Sequence, residues 1–522
     1  MDFNWILDAP SAALPVGDRD KKALSIDGDQ SVTYDELRRL RNRYANMLLA
    51  SGVTKGYRVG ILLLNSIDYV ALYFAITRIG AIAVRLNFRL TDTELDYILN
   101  DSGTSVLCLH SSRVTQIAPI VESCGVTKFV VFPDDETPIP SWAEARPDHR
   151  TGSEDEVSAD RPEGTDTLML MYTSGTTGRP KGAVWTHSGA MWLALIQATK
   201  WSYTPDVVAM TMGPLYHGGA FEDVLLPALF VHGTAVILSS GGMSTEKVVS
   251  TIECEHVTET LLYPFMLYDL LRDDDLDPGR LSSLRRIVSG GDPIMPWAMT
   301  AIDKKLPQVQ LDQGYGLTEG GTMSTCLDHA DRYKHPDSVG RPMPLTEVKV
   351  MVDRTIEAAV EEVGEVWVRC PTVASGYWNN PTATAESFVD GWCRTGDLGK
   401  VTPDGYLVLA GRAKEMIRSG GENIYPAELE AVLTDHPDVA AAAVVAVPDE
   451  QYLEVGCAVI VTTSGDKLDV PSLRQHLRSR LAGYKVPKHF VFVDELPKNA
   501  SGKILKQVMR VTYRDIGAAE TR

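Results

Sequence analysis

The segment richest in reactive side chains is the string YTSGTTGRPKG at residues 172–182. An apolar run at residues 167–172 leads into it and predicts a buried strand. Because glycine lets the backbone approach a ligand closely, such a loop can present amide N–H groups, hydroxyls and an ammonium to a polyphosphate. The residues predicted to bind phosphate are Thr173, Ser174, Gly175, Thr176, Thr177, Gly178 and Lys181.

This loop is not a Walker A motif, because the G-x-x-x-x-G-K-[S/T] spacing is absent. It resembles the phosphate loop of the superfamily that contains acyl-CoA synthetases, nonribosomal peptide adenylation domains and firefly luciferase. Further signatures of that superfamily follow in the expected order between residues 31 and 506, which is nearly the whole chain. The resemblance implies an AMP-forming enzyme that uses ATP, Mg²⁺ and a carboxylic acid, with CoA as the acceptor in an acyl-CoA ligase.

The motif QGYGLTE at residues 313–319 resembles the adenine and metal segment of the superfamily. The resemblance implies that Tyr315 stacks on adenine between Gly314 and Gly316. Thr318 would contact the α-phosphate, and Glu319 would hold Mg²⁺. A carboxylate suits that role because Mg²⁺ prefers oxygen ligands.

A second turn is expected beside the adenine, at the SGGD segment of residues 289–292. By the resemblance, Gly290 and Gly291 line this turn. Asp312 is expected to lie at the edge of the base.

The motif GWCRTGD at residues 391–397 resembles the ribose-binding segment. The resemblance implies that Asp397 accepts hydrogen bonds from both ribose hydroxyls, and an ionised carboxylate is suited to this because it only accepts. A plain hairpin turn is the alternative interpretation, since Thr-Gly-Asp is common in turns.

The string GRAKEMIRSGGENIYP at residues 411–426 resembles the hinge segment. Arg412 would contact ribose or phosphate, and Lys414 would be the hinge about which a C-terminal domain rotates between two half-reactions. Small residues leave room for the slim pantetheine arm of CoA. The resemblance places such residues along the thiol tunnel, at Ser419, Gly420 and Gly421.

The string PKNASGK at residues 497–503 resembles the motif of the C-terminal catalytic lysine. Lys503 would bridge the substrate carboxylate and the α-phosphate during adenylation. One cation between two anions relieves their repulsion and stabilises charge in the transition state. A single lysine in a polar turn is otherwise a solvated surface residue, so this assignment depends on the motif.

The string PLYHGG at residues 214–219 resembles the start of the acid-pocket helix. His217 is expected to wall and gate the substrate carboxylate rather than act as a general base. Two acids follow, and either Glu222 and Asp223 face outward or they recognise a polar substituent of the substrate. Room for a fairly large, mostly apolar acid is indicated by the small residues Gly218, Gly219 and Ala220.

The resemblance implies two half-reactions. The acid attacks the ATP α-phosphorus and expels pyrophosphate, and a thiol then attacks the acyl-adenylate, so no nucleophilic side chain is needed. We therefore predict an acyl-CoA ligase for a fatty acid or a bulky biosynthetic acid. A stand-alone adenylating enzyme that passes the acyl group to a carrier protein or an amine remains open. Amino-acid activation is disfavoured, because the aspartate usual in such domains is replaced by the His-Gly-Gly of His217.

The bulk properties limit the partners and the compartment. A net charge of −19 disfavours nucleic acid and anionic membranes as main partners. Seven cysteines without a C-x-x-C pair are typical of reduced thiols, and the first residues show no secretion signal. The longest apolar stretch, residues 69–84, is too short to span a bilayer and predicts a buried helix and strand. We expect a cytoplasmic enzyme without stable membrane insertion, and a homodimer is a family-level expectation.

The elements that must position these motifs predict an α/β protein. Strand and helix patterns alternate at residues 31–110, with helices predicted to begin near Thr33 and Thr91, and this alternation is typical of a largely parallel sheet. Short strands at 338–411 predict a β subdomain. Residues 133–166, rich in Pro, Asp, Glu, Ser and Arg, are interpreted as a surface linker.

Two domains are predicted. The first is a large N-terminal domain of mostly parallel sheets with helices and the β subdomain, at residues 1–411. A hinge at 412–415 leads to a small mobile α+β domain at 416–522.

Overall fold

The computed structural model describes residues 2–8, 20–133, 137–146, 153–173, 179–241, 244–291, 294–412, 415–419, 422–449, 452–481, 483–498 and 504–516. The chain packs as two compact units. The larger is Met1–Val348 with Val368–Arg394, and the smaller is Lys349–Trp367 with Thr395–Arg522. The predicted hinge at 412–415 stays a prediction.

The larger unit contains a nine-stranded sheet. Its strands from Gln310–Tyr315 to Lys22–Ile26 run parallel to their neighbours, and antiparallel strands close both edges. The carboxyl ends of the parallel strands therefore meet along one side. The strands lie in the order Arg341–Pro342, Thr325–Leu327, Gln310–Tyr315, Arg286–Gly290, Glu259–Leu261, Val208–Thr211, Thr234–Ile237, Lys22–Ile26 and Gln30–Thr33.

A seven-stranded sheet lies in the same unit. It is parallel except for its last pair, the hairpin of Thr167–Thr173 and Lys181–Thr186. Its apolar strands are buried on both faces, which explains their unbroken hydrophobic runs. The strands lie in the order Glu144–Ala145, Lys128–Phe132, Val106–His110, Arg58–Leu62, Ile82–Arg85, Thr167–Thr173 and Lys181–Thr186.

Helices of the larger unit begin where capping residues predict. Thr33 accepts a hydrogen bond from the N–H of Glu36, whose carboxylate accepts from the Thr33 N–H, and Thr91 forms the same box with Glu94. The α-helices are Tyr34–Ala50, Ile67–Arg78, Asp92–Ser102, Val114–Ile117, His187–Lys200, Gly218–Ala220, Leu226–Phe230, Thr245–Glu255, Pro264–Arg272, Pro296–Lys305 and Pro381–Ser387.

The apolar stretch at residues 69–84 forms the predicted buried helix and strand. Helix Ile67–Arg78 and strand Ile82–Arg85 account for it, and both are buried over nearly their whole length. Within the described ranges, the helices are all too short or too polar to cross a membrane.

Residues 153–159 of the predicted surface linker are mostly exposed, but Val157 and two backbone carbonyls pack against the rest of the larger unit. Val157 is 5% exposed. The Asn42 amide donates to the Glu154 carbonyl over 3.1 Å, and the Arg78 guanidinium donates to the Ala159 carbonyl over 3.2 Å. The segment packs because its backbone carbonyls satisfy polar side chains that helices bury.

The smaller unit has the α+β character that the sequence predicts, and the predicted fold class is confirmed. The short strands expected between 338 and 411 are present. Those wholly or partly in the smaller unit are Glu347–Met351, Gly364–Arg369, Trp392–Val401 and Leu407–Arg412, whereas Phe388–Val389 belongs to the larger unit. The following sheet has the order Glu422–Ile424, Ile417–Ser419, Leu453–Thr462 and Val439–Asp449, and His489–Phe492 adds to Leu453–Thr462. Its helices are Pro426–Thr434, Val470–Arg478 and Lys506–Thr512.

Candidate active site

The predicted phosphate loop joins the two strands of a hairpin. Strand Thr167–Thr173 is buried at its centre, and Thr173 lies directly opposite Lys181 in the register. The hairpin therefore holds Thr173 and Lys181 side by side where the loop leaves and rejoins the sheet. The rest of the predicted loop lies outside the described residues, at Ser174, Gly175, Thr176, Thr177 and Gly178.

Glu319 accepts two hydrogen bonds on one carboxylate oxygen. The Thr173 hydroxyl donates to Oε1 over 2.8 Å, and the Tyr377 hydroxyl donates to the same atom over 3.0 Å. Within the described part of the chain, Oε2 has no hydrogen-bond donor. Because both donors are neutral, they orient the carboxylate and leave its charge available, so Oε2 fits the Mg²⁺ ligand that the resemblance implies.

The backbone that carries Glu319 is held by the same hairpin. Thr318–Gly320 is a single 3₁₀ turn, and the Trp185 indole N–H donates to the Thr318 carbonyl over 3.2 Å. The Ala374 N–H donates to the Glu319 carbonyl over 3.0 Å. Trp185 lies on strand Lys181–Thr186, so one strand holds both Lys181 and the turn that carries Glu319.

Tyr377 is a site residue that the sequence analysis missed. Its ring centroid lies 5.2 Å from the Lys181 ammonium, and its own N–H donates to the Thr384 hydroxyl over 2.9 Å. Burial and then the Glu319 charge raise the pKa of Tyr377, so its hydroxyl stays protonated and donates at neutral pH. The sequence signal, a tyrosine after Gly376, is too common in turns to single it out.

Two glycine turns meet at the carboxyl ends of neighbouring parallel strands. Strand Arg286–Gly290 pairs with Gln310–Tyr315 so that Gly290 lies opposite Gly314. A Cβ at Gly290 would come within 2.5 Å of the Gly314 carbonyl oxygen, and Gly291 has a φ of 93°. Only glycine fits this approach, and ligands of parallel sheets commonly bind at such strand ends.

The structure thus brings together the predicted adenine residues around Tyr315. The Ser324 N–H donates to the Tyr315 carbonyl over 2.7 Å. A Cβ at Gly316 would overlap the Thr322 carbonyl oxygen at 2.0 Å. The turn after Tyr315 is therefore tight, and it leads directly into Thr318.

Asp312 has a different environment from the other adenine candidates. It is 1% exposed, and its Oδ2 accepts from the Arg286 guanidinium over 2.7 Å. Its Oδ1 accepts from the His329 N–H over 2.9 Å. These contacts give Asp312 a role in the fold, and its predicted place at the edge of the base stays a prediction.

The same aspartate belongs to a group of potential metal ligands. Asp312, Cys326 and Asp328 each offer a ligand atom within 4.8 Å of the others. However, Arg286 already pairs with Asp312, and the Lys200 ammonium lies 2.6 Å from Asp328. Arg286 and Lys200 already balance the negative charges of the two aspartates, so this cluster does not indicate a metal site.

His217 caps the short helix Gly218–Ala220. Its Nδ1 accepts from the Gly219 N–H over 3.2 Å, and the Tyr263 hydroxyl lies 3.5 Å from the same nitrogen. The side chain is exposed. A capping histidine with Nδ1 engaged suits the predicted wall and gate, which stays a prediction.

Glu222 does not face outward. Its side chain is fully buried and forms an ion pair with the equally buried Arg85. The Arg85 guanidinium also donates to the Leu215 carbonyl and lies over the rings of Tyr73 and Phe221 at 5.3 and 5.2 Å. Glu222 therefore serves the fold, because a guanidinium compensates its charge.

Asp223 is buried as well, but its partners are neutral. Its Oδ1 accepts from the Gln197 amide and from the Thr322 hydroxyl, the latter over 2.6 Å. Burial raises the pKa of Asp223 to about 7, and the two donors lower it only in part. Near neutral pH this carboxyl therefore carries its proton much of the time.

The smaller unit contains the predicted ribose residues. Asp397 lies opposite Arg412 in an antiparallel hairpin, and the Arg412 Nε lies 2.9 Å from the Asp397 Oδ1. The Asp397 N–H donates to the Thr395 hydroxyl over 3.0 Å. The Asp397 carboxylate is nearly buried, and Arg412 holds it in place. The hairpin therefore carries Asp397 and Arg412 as an ion pair.

The predicted thiol-tunnel and lysine residues are described only in part. Ser419 lies opposite Glu422 in a hairpin. The remaining predicted residues lie outside the described part of the chain: Lys414, Gly420, Gly421 and Lys503.

An ion network lies between the segments that carry those lysines. The Lys506 ammonium is 2.7 Å from the Glu430 carboxylate and 3.4 Å from that of Glu415. Burial lowers the pKa of Lys506, but the two carboxylates outweigh it and raise the pKa above its usual value. Helix Lys506–Thr512 is thus tied to Glu415, which follows the predicted hinge residue.

Asp223→Asn is expected to gain stability relative to the wild type as pH rises. An aspartate in an unfolded chain loses its proton near pH 4, whereas folded Asp223 holds it until about pH 7. Because the folded state binds the extra proton, the wild-type free energy of unfolding falls across this window and stays lower above it. At about 1.4 kcal/mol per pKa unit, the variant should gain on the order of 2–3 kcal/mol between pH 5 and pH 8.

Urea unfolding of both proteins at the two pH values measures this difference. The asparagine keeps an oxygen that accepts from Gln197 and Thr322, so packing is little changed. Glu259, whose pKa burial also raises, is present in both proteins and cancels. The charge of Glu222 raises the pKa of Asp223, so the measured difference includes the coupling of these two neighbours. Equal loss of stability in both proteins would contradict the assignment of the proton to Asp223.

Comparison with known proteins places this geometry in a family. Residues 15–378 match the AMP-binding enzyme family, and residues 428–503 match the AMP-binding enzyme C-terminal domain. A feruloyl-CoA synthase from Amycolatopsis sp. is 39% identical over 92% of this chain and 94% of its own length. The long-chain-fatty-acid–CoA ligase FadD13 from Mycobacterium tuberculosis is 34% identical over 93% of this chain and 94% of its own.

A solved structure agrees with both sequence comparisons. The crystal structure of ATP-bound MatB from Rhodopseudomonas palustris is 30% identical, covers 99% of this chain and 100% of its own, and has a TM-score of 0.89. The chain therefore belongs to the AMP-binding enzyme family, as an adenylate-forming acid–CoA ligase that uses ATP, Mg²⁺ and CoA.

Proposed function

We propose that the acid activated by this ligase is mostly apolar and carries an aromatic ring. The observation that carries the ligase function is the Glu319 centre, in which the phosphate-loop hairpin and Tyr377 orient one carboxylate. The aromatic ring is supported by the relatives, since identity to the feruloyl-CoA synthase, at 39%, exceeds the 34% identity to the long-chain-fatty-acid ligase.

In the first half-reaction the chain places the acid carboxylate in line with the ATP α-phosphorus and offsets the charge that gathers there. We assign Thr173 and Lys181 to phosphate binding, Thr318 to the α-phosphate and Tyr315 to the adenine. Glu319 would hold Mg²⁺ through Oε2. The ion, when bound, supplies positive charge that offsets the charge of the phosphate oxygens.

In the smaller unit we assign Asp397 to the ribose hydroxyls. A carboxylate accepts several hydrogen bonds, and Arg412 fixes one oxygen of Asp397 while adding positive charge near the nucleotide. We further assign Lys503 to the adenylation step and Lys414 to the hinge. The thiol of CoA would reach the acyl-adenylate along Ser419, Gly420 and Gly421.

Product analysis by mass spectrometry tests the function. The enzyme receives ATP, Mg²⁺ and a pooled panel of aromatic and long-chain fatty acids, with and without CoA. We expect a CoA-dependent aromatic acyl-CoA product and AMP. A fatty acyl-CoA product would overturn the aromatic assignment. Acyl-adenylate that accumulates regardless of CoA would instead point to a carrier protein or an amine as the acceptor.

Tyr377→Phe is expected to raise the Mg²⁺ concentration needed for half-maximal activity by roughly tenfold, because residues that orient a metal ligand commonly contribute 10–100-fold to metal affinity. The variant removes one of the two donors that orient Glu319. The Mg²⁺ dependence of pyrophosphate release measures the effect, and Mn²⁺ binding with ATP provides a reading independent of turnover. Tyr333→Phe, at a tyrosine that is 57% exposed, is the matched control. An unchanged Mg²⁺ requirement would remove Tyr377 from the site.

Lys503→Ala is expected to slow adenylation by about 10²–10³-fold, by analogy with the loss of one charge-stabilising donor. Thioester formation from supplied acyl-adenylate should remain, because the lysine acts on the first half-reaction. Pyrophosphate exchange and single-turnover thioester formation separate the two steps. Lys498→Ala, at an exposed lysine of the same segment, is the control and should affect neither. Equal damage to both half-reactions would exclude the proposed role.

A further inference from the structure

Asp223 is a buried acid for which the described residues provide no cation. It retains 7% of its accessible surface, and among the described residues the charged group that perturbs its pKa is another acid, Glu222. Glu222, by contrast, is matched by Arg85. Burying a carboxyl without a cation costs free energy. Burial of Asp223 therefore costs the fold free energy that the Arg85 ion pair offsets at Glu222.

Two acceptor oxygens of this cluster have no partner in the described part of the chain. Asp223 uses Oδ1 for both the Gln197 amide and the Thr322 hydroxyl, and Oδ2 accepts from none of these residues. Gln197 is fully buried, and its Oε1 has no hydrogen-bond partner. A fully buried polar atom is normally satisfied, so Gln197 Oε1 indicates a missing donor. Asp223 keeps 7% of its surface, and its Oδ2 is able to accept a second donor.

Backbone strain supports the same cluster. Thr322 has a φ of 61°, in the left-handed region that a β-branched residue rarely adopts. Its hydroxyl donates to Asp223 in this conformation. Strained residues of this kind cluster at ligand sites, because the surrounding structure must hold them there.

The helix that carries Asp223 is also irregular. Residues Phe221–Leu225 form a π-helical turn, which is rare and frequent at functional sites. The wider turn changes which side chains share a face. It buries Glu222 against Arg85 and Asp223 against Thr322 at consecutive positions.

The cluster borders the predicted acid pocket. A Cβ at Gly218 would come within 2.6 Å of the Thr322 Cγ2, so Thr322 lies directly against the glycines after His217. A Cβ at Gly219 would lie 3.0 Å from the Tyr263 hydroxyl, and one at Gly291 would lie 3.7 Å from the Tyr263 ring. Asp223 thus lies behind a glycine wall that continues to the adenine turn.

We propose that Asp223, with Gln197 and Thr322, binds a hydroxyl on the aromatic ring of the acid and selects for it. The proposal rests on the proposed function, since it places the hydroxylated ring in the acid pocket of the ligase. The hydroxyl would donate to Asp223 Oδ2 or to Gln197 Oε1. This would supply the donor that the two oxygens lack.

A hydroxyl fits this cluster better than an ammonium. The pKa of Asp223, which burial raises to about 7, lets the carboxyl be either protonated or ionised under working conditions. A hydroxyl can both donate and accept, so it bonds to either form, whereas an ammonium can only donate. A site built to bond a hydroxyl also rejects the analogue that lacks it, because its own polar groups then stay unpaired.

The test compares kcat/KM for matched acids in the wild type, Asp223→Leu and Asp223→Asn. The acids are cinnamic acid, its ortho-, meta- and para-hydroxy derivatives, and para-(aminomethyl)cinnamic acid. We expect the wild type to prefer one hydroxy isomer over cinnamic acid by at least about tenfold. Asp223→Leu should reduce that ratio to about one while keeping activity on cinnamic acid, and Asp223→Asn should retain part of the preference.

Should Asp223→Leu fail to fold, Thr322→Val and Thr322→Ser provide a second comparison. The valine removes the hydroxyl that orients Asp223, and the serine keeps it. We expect the preference to fall in Thr322→Val and to persist in Thr322→Ser. Equal ratios in these two variants would overturn the role of the cluster.

The outcomes separate this proposal from the proposed function. Activation of the acids with the same hydroxyl preference in Asp223→Leu and the wild type would overturn the Asp223 assignment alone. A wild-type preference for para-(aminomethyl)cinnamic acid, whose amine is protonated at neutral pH, would overturn the hydroxyl in favour of a cationic group. If the wild type activates none of the aromatic acids, the proposed function fails, and the Asp223 assignment fails with it.

Discussion

The buried guanidinium of Arg85 constrains much of the larger unit. It ends a central strand of the seven-stranded sheet, and it bonds to Glu222 and to the carbonyl of Leu215, both of which follow a strand of the nine-stranded sheet. Removing one partner of a buried ion pair typically costs about 3–5 kcal/mol, because the other charge is left uncompensated. The position of the pocket segment between Leu215 and Glu222, which carries His217 and its glycines, therefore depends on this one side chain.

The site also shows how an acidic protein binds anions. A net charge of −19 opposes ATP at long range. At short range, the described groups around Glu319 are the Thr173 and Tyr377 hydroxyls and the Lys181 ammonium, which lies over the Tyr377 ring. Local dipoles and single cations decide binding at contact distance, because screening at physiological salt weakens the net field beyond about 8 Å.

Local patterns in the sequence were sufficient to predict several of the helices and strands. The helix starts predicted near Thr33 and Thr91 are correct, and the predicted strand at 167–172 is part of Thr167–Thr173. Periodicity and capping are local, so the sequence contains them in full. The packing of residues 153–159 could not be read in this way, because it depends on Asn42 and Arg78, which lie far away in the chain.

The site residues also divide into those that a local sequence pattern predicts and those that depend on contacts between distant parts of the chain. Glu319 belongs to a contiguous motif, so the sequence alone was enough to predict it as a site residue. Tyr377 acts on Glu319 from 58 residues away and carries no motif of its own. A hydrogen bond between residues so far apart in the chain forms only when the fold brings them together, so no local sequence pattern predicts it.

The adjacent acids Glu222 and Asp223 extend this argument. The sequence left two alternatives for both side chains: they face outward, or they recognise a polar substituent of the substrate. The π-helical turn buries both, and their neighbours then separate them, because Glu222 meets a guanidinium and Asp223 meets only neutral donors. The free-energy cost of burial is similar for the two carboxyls, and only one is compensated within the described fold. An uncompensated acid beside a strained threonine is thus better explained by a ligand than by packing.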